Sequence, residues 1–331
     1  MNNPSNQVHW LALGGTIQSV GHDPLDADRY FMTGKMLTPE ELLAPVADFA
    51  GEVRVEAWQA RPSHELTIPE LLKLASRIRQ LAAPGPDRPT GIIITCGSNG
   101  LEELAYLLWL FYDGSVPVVV TAAMRPPTAI GSDALPNLIC ALATARSLAD
   151  LPPVTIATDN VLLHPADAFK THTSRIDAFS ASAPAFGTLT PEREIRIWRP
   201  RNASSPLGSA DLPTDLPAVE IVYSYLGSNG TTIRAAVDAG VGGIVVAGTG
   251  AGFSSSADEL ALAEASRVGV LVCRSKRTPG GLASDAVGGD THSHELTPQK
   301  ARLAVSAGLA LDLGKSGIQS LLDISRDLSA H

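Results

Sequence analysis

The sequence predicts an α/β protein of two domains, the larger and N-terminal one a mostly parallel sheet with helices on both faces, the smaller C-terminal one also parallel. Three observations predict it. Short β-branched apolar runs bounded by glycine alternate with stretches of helical period along the chain, the pattern of parallel strands joined by helices. The 331 residues, 44% hydrophobic and 18% charged, can bury more than one core. Aromatic content is only 5%, while small and aliphatic residues are plentiful, which suits helices packed closely on strands.

In order, Val8 to Leu13 reads as a buried strand ending at Gly14-Gly15-Thr16, where two glycines permit a sharp turn and a close approach to the main chain. The turn is not GxGxxG, so no dinucleotide fingerprint is present. Gln18 to Lys35 is rich in Gly, Asp and Pro and reads as a mobile loop able to close over a site. Leu37 to Val46 is helical, entered through Thr38-Pro39 with Glu40 and Glu41 in the first turn. Val53 to Trp58 alternates as a strand, and Glu70 to Ala83 places Leu71, Leu74, Ile78 and Leu81 on one stripe.

Gly91 to Leu110 changes from strand to helix within four residues. Ile92 to Ile94 is a strand buried on both faces, and Ser98-Asn99-Gly100 precedes Glu102 and Glu103 as a helix start. Read alone, Ser98 or Asn99 is a cap. The same junction lies at the carboxyl end of a strand, where open α/β sheets bind ligands. Val116 to Thr121 is a further strand, and a helix runs from Ser132-Asp133 through Ala145. Val154 to Thr158 and Val161 to Leu163 are short strands, and Lys170 follows among small polar residues, by itself a solvated charge.

Residues 1–198 form the expected N-terminal domain. A Pro/Ser/Asp-rich linker spans 199–217, and 218–331 form the second domain. That domain carries strands at Val219 to Tyr225, Gly243 to Ala247 and Val268 to Cys273, with helices near Thr231 to Ala239, from after Phe253 through Ala265, and around Gln299 to Leu311.

The net charge of −9 and pI near 5.3 argue against a nucleic-acid groove or an anionic membrane surface as partner, and no basic cluster reverses that. No segment approaches transmembrane length, and the N-terminus lacks a signal-peptide pattern. Cys96, Cys140 and Cys273 are odd in number and far apart, so free thiols in a reducing cytoplasm are expected, with Cys96 packing beneath the turn. His292 and His294 read as solvated, and no metal-ligand spacing is present.

The blocks LALGGTI, ITCGSNGLEELAYLL, VVVTAAMRPPTAIGSDALPNL, FKTHT, GIVVAGTGAG and LTPQKARL, in this order from about Trp10 to Leu311, resemble the bacterial-type L-asparaginase and glutaminase-asparaginase family. The resemblance implies hydrolysis of a small amide through an acyl-enzyme on threonine, with no metal or organic cofactor. It also implies a homotetramer built from intimate dimers, with sites at subunit boundaries; the sequence itself leaves homodimer or homotetramer open. It carries the nucleophile onto Thr16, the flexible-loop tyrosine onto Tyr30, the second hydroxyl onto Ser98 and the lysine onto Lys170. Substrate contacts fall on Gly15, Ser63, His64, Asn99 and Ala123. An alcohol is a poor nucleophile at neutral pH without an adjacent base. The expected pairs are therefore Thr16 with Tyr30 and Ser98 with Lys170, and backbone N–H groups near Gly14-Gly15 and Ala122-Ala123 are suited to hold an oxyanion.

The departures matter as much. Asn99 stands where the family has an aspartate that binds the substrate's α-ammonium, a contact worth roughly 1.5–3 kcal/mol. His64 replaces Gln, Asn or Ser, Ala251 replaces asparagine, and Ala286-Val287 replaces a segment carrying glutamate in some members. Losing an anion beside Lys170 is expected to lower the amine's pKa and improve it as a proton acceptor. The expectation is retained amide hydrolysis on an altered substrate. An ordinary L-asparaginase and a non-catalytic ligand-binding homologue are the alternatives.

Overall fold

A computed structural model of the chain describes residues 7–58, 61–199 and 204–329. Two compact units divide it, Met1–Ala210 and Asp211–His331. Of the expected linker, residues 200–203 lie outside the described residues. Residues 205–210 are fastened to the first unit: Arg79 donates to the carbonyls of Phe111, Gly208 and Ala210, and Ser205 Oγ and Leu207 N–H donate to the Leu110 carbonyl.

The first unit is built on β1 (Val8–Ala12), β2 (Val53–Ala57), β3 (Gly91–Thr95), β4 (Val118–Thr121), β5 (Val154–Thr158) and β6 (Val161–Leu163). Strands β7 (Ala168–Lys170), β8 (Phe179–Ala181), β9 (Gly187–Leu189) and β10 (Ile195–Ile197) follow. The main sheet has eight strands in the order β10-β9-β6-β5-β4-β3-β1-β2. From β2 to β5 all pairings are parallel; β6, β9 and β10 extend the sheet antiparallel, and β7 pairs with β8 in a separate ribbon. These antiparallel strands of three residues each are too short to show a hydrophobic period. Most were not foreseen.

The helices are α1 (Pro39–Leu43), α2 (Ala47–Ala50), α3 (Ile68–Ala82), α4 (Leu101–Phe111) and α5 (Ala134–Arg146). Thr38 with Glu41 and Thr67 with Glu70 form capping boxes that start α1 and α3. The helix expected over Leu37 to Val46 is broken after Leu43, where a 3₁₀ turn leads into α2. Leu42, Ala50 and the α5 residues Leu138, Ala141 and Leu142 cover Val8, Trp10, Ile93 and Val119 on one face of the sheet. Helices α3 and α4 pack on each other. Alternation along the strands leaves Leu11, Ile92, Ile94 and Val120, all fully buried, for that opposite face.

The β4-to-β5 crossover through α5 therefore steps along the sheet in the same direction as the one through α3 while using the other face. It has the opposite hand to its neighbours. Since right-handed crossovers are the near-universal form, this connection is the unusual one.

The second unit carries β11 (Val219–Tyr223), β12 (Gly243–Gly248), β13 (Leu271–Lys276) and β14 (Thr291–His292), parallel in that order. Its helices are α6 (Thr231–Asp238), α7 (Ser256–Arg267), α8 (Pro298–Ala310) and α9 (Gly314–Ser329). A core of Val222, Ile233, Ile244, Val246, Leu262 and Val272 joins the sheet to α6 and α7. Strand β13 lies three residues later than the sequence suggests at each end, and α9 was not anticipated. One expectation is corrected here. His294 is 5% exposed rather than solvated, held by Asp323 and Gln319 of α9 at 2.9 and 3.2 Å. His292 Nε2 contacts the Val287 carbonyl at 2.7 Å. The reason is α9, which covers both.

Candidate active site

Strand order β2-β1-β3-β4-β5 reverses direction at β1. The chain leaves β1 to one side for β2 and returns to the other side for β3, the switch of direction at which open α/β sheets place their ligands, at the carboxyl ends of the two strands. In-register pairing of Ala12 with Thr95 brings the turns after both strands out side by side. Gly14 and Gly15 adopt φ of 81° and 90°. A Cβ on Gly15 would lie 2.5 Å from the Gly97 nitrogen, so no other residue fits there without moving the β3 turn. Thr16 and Ser98 each follow a turn at this contact, and each is 7% exposed.

Two polar pairs stand in these turns. Thr16 Oγ1 and Tyr30 Oη are 2.7 Å apart. Lys170 Nζ donates to Ser98 Oγ at 2.8 Å and to Asn99 Oδ1 at 2.9 Å. Tyr30 belongs to a folded flap whose neck is zipped by Val20 N–H to the Lys35 carbonyl, Leu37 N–H to the Gln18 carbonyl and Thr33 Oγ1 to the Val20 carbonyl. The loop read as mobile is thus seated in this structure, with its tyrosine on Thr16.

Ser98 does not cap α4. The N-cap is Gly100, and the N–H of Gly100 is met by Ser63 Oγ at 3.0 Å. Relieved of capping, the Ser98 hydroxyl turns to the lysine. Ser63 also packs on Gly97, where a Cβ would meet its Oγ at 2.5 Å. His64 is exposed in the adjoining 3₁₀ turn Ser63–Glu65, and Ala123 is buried beyond the end of β4.

Burial pushes the Lys170 amine below its ordinary value, and the charge of Glu102 pushes it partly back. The direction agrees with the sequence expectation, but desolvation is the larger cause and Glu102 supplies an anion the sequence reading did not count. Glu102 reads in the sequence as a first-turn acid; here its Oε2 also accepts the Lys170 backbone N–H at 2.6 Å. Burial likewise drives the Cys96 thiol up to about 12, so it holds no thiolate at neutral pH. Among the described residues no group of three or more His, Cys, Asp and Glu is arranged to hold a metal ion, and no helix is long and apolar enough to cross a membrane.

Such an arrangement can present a hydroxyl to a carbonyl carbon and a second hydroxyl backed by an amine. Comparison with known proteins narrows the chemistry. The family description "Asparaginase, N-terminal" matches residues 7–202, and "Glutaminase/Asparaginase C-terminal domain" matches residues 218–322. The chain belongs to the asparaginase family. Its members are amidohydrolases that act on C–N bonds of linear amides. L-asparaginase 2 of Bacillus subtilis is 33% identical, over 91% of this chain and 82% of that protein. L-asparaginase 2 of Escherichia coli is 30% identical, over 95% of this chain and 91% of its own length. The glutaminase-asparaginase of Pseudomonas fluorescens biotype A is 30% identical over 90% and 85%. A crystal structure of the probable cytoplasmic L-asparaginase from Campylobacter jejuni superposes with a TM-score of 0.86 at 27% identity, covering 96% of this chain and 99% of that one.

Proposed function

We propose that this asparaginase-family enzyme hydrolyses a small carboxamide through an acyl-enzyme on Thr16, with a substrate preference shifted away from L-asparagine. The Thr16 hydroxyl attacks the carboxamide carbon. Its proton travels along the hydrogen bond to Tyr30 and on to the departing nitrogen, the C–N bond breaks, and ammonia leaves. Lys170, acting through Ser98, takes a proton from water, which attacks the Thr16 ester; the bond between the acyl carbon and Thr16 Oγ1 breaks, the carboxylic acid leaves, and the proton returns to Oγ1. Backbone groups of the Gly14-Gly15 turn and of the segment around Ala123 hold the carboxamide between them. The observation that carries this reading is the pair of contacts, Thr16 with Tyr30 and Lys170 with Ser98, at one topological switch point.

Asn99 supports the shifted preference. Its carboxamide carries no charge, its oxygen already accepts from Lys170, and its nitrogen is a donor, so it offers a ligand no carboxylate to pair with an ammonium. A donor recognises a carbonyl or hydroxyl oxygen and repels an ammonium. Substrates whose carbon next to the carboxylate is unsubstituted or N-acylated fit that chemistry. The similarity to proteins named L-asparaginase favours the second reading, turnover of L-asparagine itself. Ammonia release from L-asparagine, L-glutamine and uncharged or N-acylated analogues separates the two. Efficient and selective turnover of L-asparagine overturns the shifted preference. An electrophilic amide analogue is expected to leave one adduct on Thr16 by mass spectrometry, and none on Thr16→Ala. Absence of any adduct or turnover would support the non-catalytic homologue.

Self-association as a dimer or tetramer is also proposed. Tyr223, Tyr225, Leu226, Phe253 and Leu282 are 48–98% exposed at or beyond the carboxyl ends of β11, β12 and β13, large apolar side chains of the kind that self-association covers. Sedimentation at several concentrations tests it. Three buried, unpaired cysteines fit a reducing, cytoplasmic location.

A further inference from the structure

The unusual connection from β4 to α5 carries the inference. Asp133 occupies the N-cap of α5 yet makes no capping hydrogen bond. Its carboxylate turns back onto the preceding loop, accepting the Met124 N–H at 2.9 and 3.1 Å and the Arg125 N–H at 2.9 Å. Asn137, one turn into α5, donates from Nδ2 to the Ala122 carbonyl at 2.9 Å and to Asp133 Oδ2 at 3.0 Å, while its Oδ1 accepts the Asp159 N–H at 2.8 Å. Both side chains are more than nine-tenths buried. Burial pushes the Asp133 carboxyl above its ordinary value and the backbone donors pull it back, so the chain bears the cost of a buried acid here to hold a loop.

Peptide geometry turns these bonds into a statement about Ala123. In a trans peptide the C=O and N–H point in opposite directions. Drawing the Ala122 carbonyl to Asn137 directs the Ala123 N–H away from α5, and drawing the Met124 N–H to Asp133 directs the Ala123 carbonyl away from Asp133. One residue then offers a donor and an acceptor on the side opposite the anchor. A carboxamide needs both, a donor for its oxygen and an acceptor for its NH₂. Cys96 N–H to the Thr121 carbonyl at 3.1 Å sets the start of this loop beside the chain leading to Ser98. The far end of the same loop receives the flap: Gly21 N–H donates to Thr128 Oγ1 at 2.9 Å, and Ile130 N–H donates to the Pro24 carbonyl at 2.8 Å.

We propose that Asp133 and Asn137 are positioning residues that aim the backbone groups of Ala123 at the substrate carboxamide and hold the platform on which the Tyr30 flap lands. The proposal rests on the hydrolytic reading above for its first half and on flap contacts alone for its second.

Two variants of the full chain test it, Asp133→Asn and the exposed-surface change Thr128→Val. With the best amide of the substrate panel, Asp133→Asn is expected to lower kcat about a hundredfold with KM moved less than about threefold, the mark of misplaced reacting groups. Hydrogen exchange of amides 20–36 is expected to quicken about fivefold or more in both variants, with other segments unchanged. Asp133→Asn protein that melts earlier but keeps its kcat overturns the positioning role, since a purely structural anchor gives that result. Unchanged flap exchange in both variants overturns the landing platform. If wild-type protein turns over no amide, the hydrolytic reading falls, and the positioning half with it, while the exchange comparison still decides the platform. Should Asp133→Asn fail to fold, Asn137→Ser provides the kinetic arm and Thr128→Val the exchange arm, judged by the same outcomes.

Discussion

Two lysines, Lys170 in the first unit and Lys276 in the second, make an instructive pair. Each ends a strand, each amine is pushed below its ordinary value by burial, and in each a single glutamate, Glu102 or Glu295, pushes it back. They differ in what the amine touches. Lys170 donates to a serine hydroxyl and a side-chain amide, whereas Lys276, 2% exposed, donates to the Glu295 backbone carbonyl at 3.1 Å. A hydroxyl can give a proton back to a neutral amine; a carbonyl cannot. A depressed pKa therefore does not mark function by itself, and the partner decides.

The same contrast runs through the polar residues of the two units. In the second, Asp258 accepts from Ser224, Ser228 and Gly230 N–H, and Arg274 pairs with Glu259. These groups are spent on one another. In the first, hydroxyls at the β1 and β3 turns face partners able to move protons.

The largest expected effect breaks the lysine comparison if it fails. Lys170→Met is expected to lose about 10²- to 10⁴-fold in kcat while melting close to wild type. Lys276→Met is expected to keep kcat within about twofold, because no reacting group depends on it. Equal losses in the two variants would erase the distinction drawn here.

A smaller effect sharpens it. The Lys170 amine is protonated below its pKa and free above it, and that pKa lies below the ordinary 10.5. Activity that needs the free amine therefore rises with pH, with a midpoint under 10.5. Glu102→Gln keeps an acceptor for the Lys170 N–H but removes the charge that holds the proton on, so the midpoint moves to lower pH. A pH–rate profile in which it stays or climbs removes Lys170 as the titrating group.

The smallest effect concerns the second unit alone. Ser255 caps α7 by accepting the Asp258 N–H at 3.0 Å. Ser255→Ala is expected to cost about 1 kcal/mol in denaturant unfolding and to leave kcat/KM unchanged. A loss of kcat/KM would show that this unit's polar network reaches the chemistry.

How much of this was legible in the sequence varied with the range of the signal. Buried parallel strands announce themselves as β-branched runs, so β1, β3 and β4 and the turns that follow them could be read directly. The six ordered blocks then singled out Thr16, Ser98 and Lys170. Short antiparallel strands gave no period, and α9, lying beyond the last block, left His294 to be read as solvated although it is covered. Asp133 reads as an ordinary helix start and Asn137 as one more helical residue without a signal of its own, because only the fold shows their side chains bonded to the loop after β4.

The sequence by itself determined the alternation of strands and helices, the glycines of the β1 turn and which residue types were available for amide chemistry. Local pattern and composition suffice for these. Tertiary structure decided which groups meet: Lys170 reaches Ser98 across 72 residues, and Tyr30 reaches Thr16 only because the flap folds back on its own neck. It also decided that the Asn99 side-chain oxygen accepts a hydrogen bond from Lys170. Proton transfer and recognition depend on distances of about 3 Å, and distances between remote residues are set by strand order and register, which no local pattern encodes.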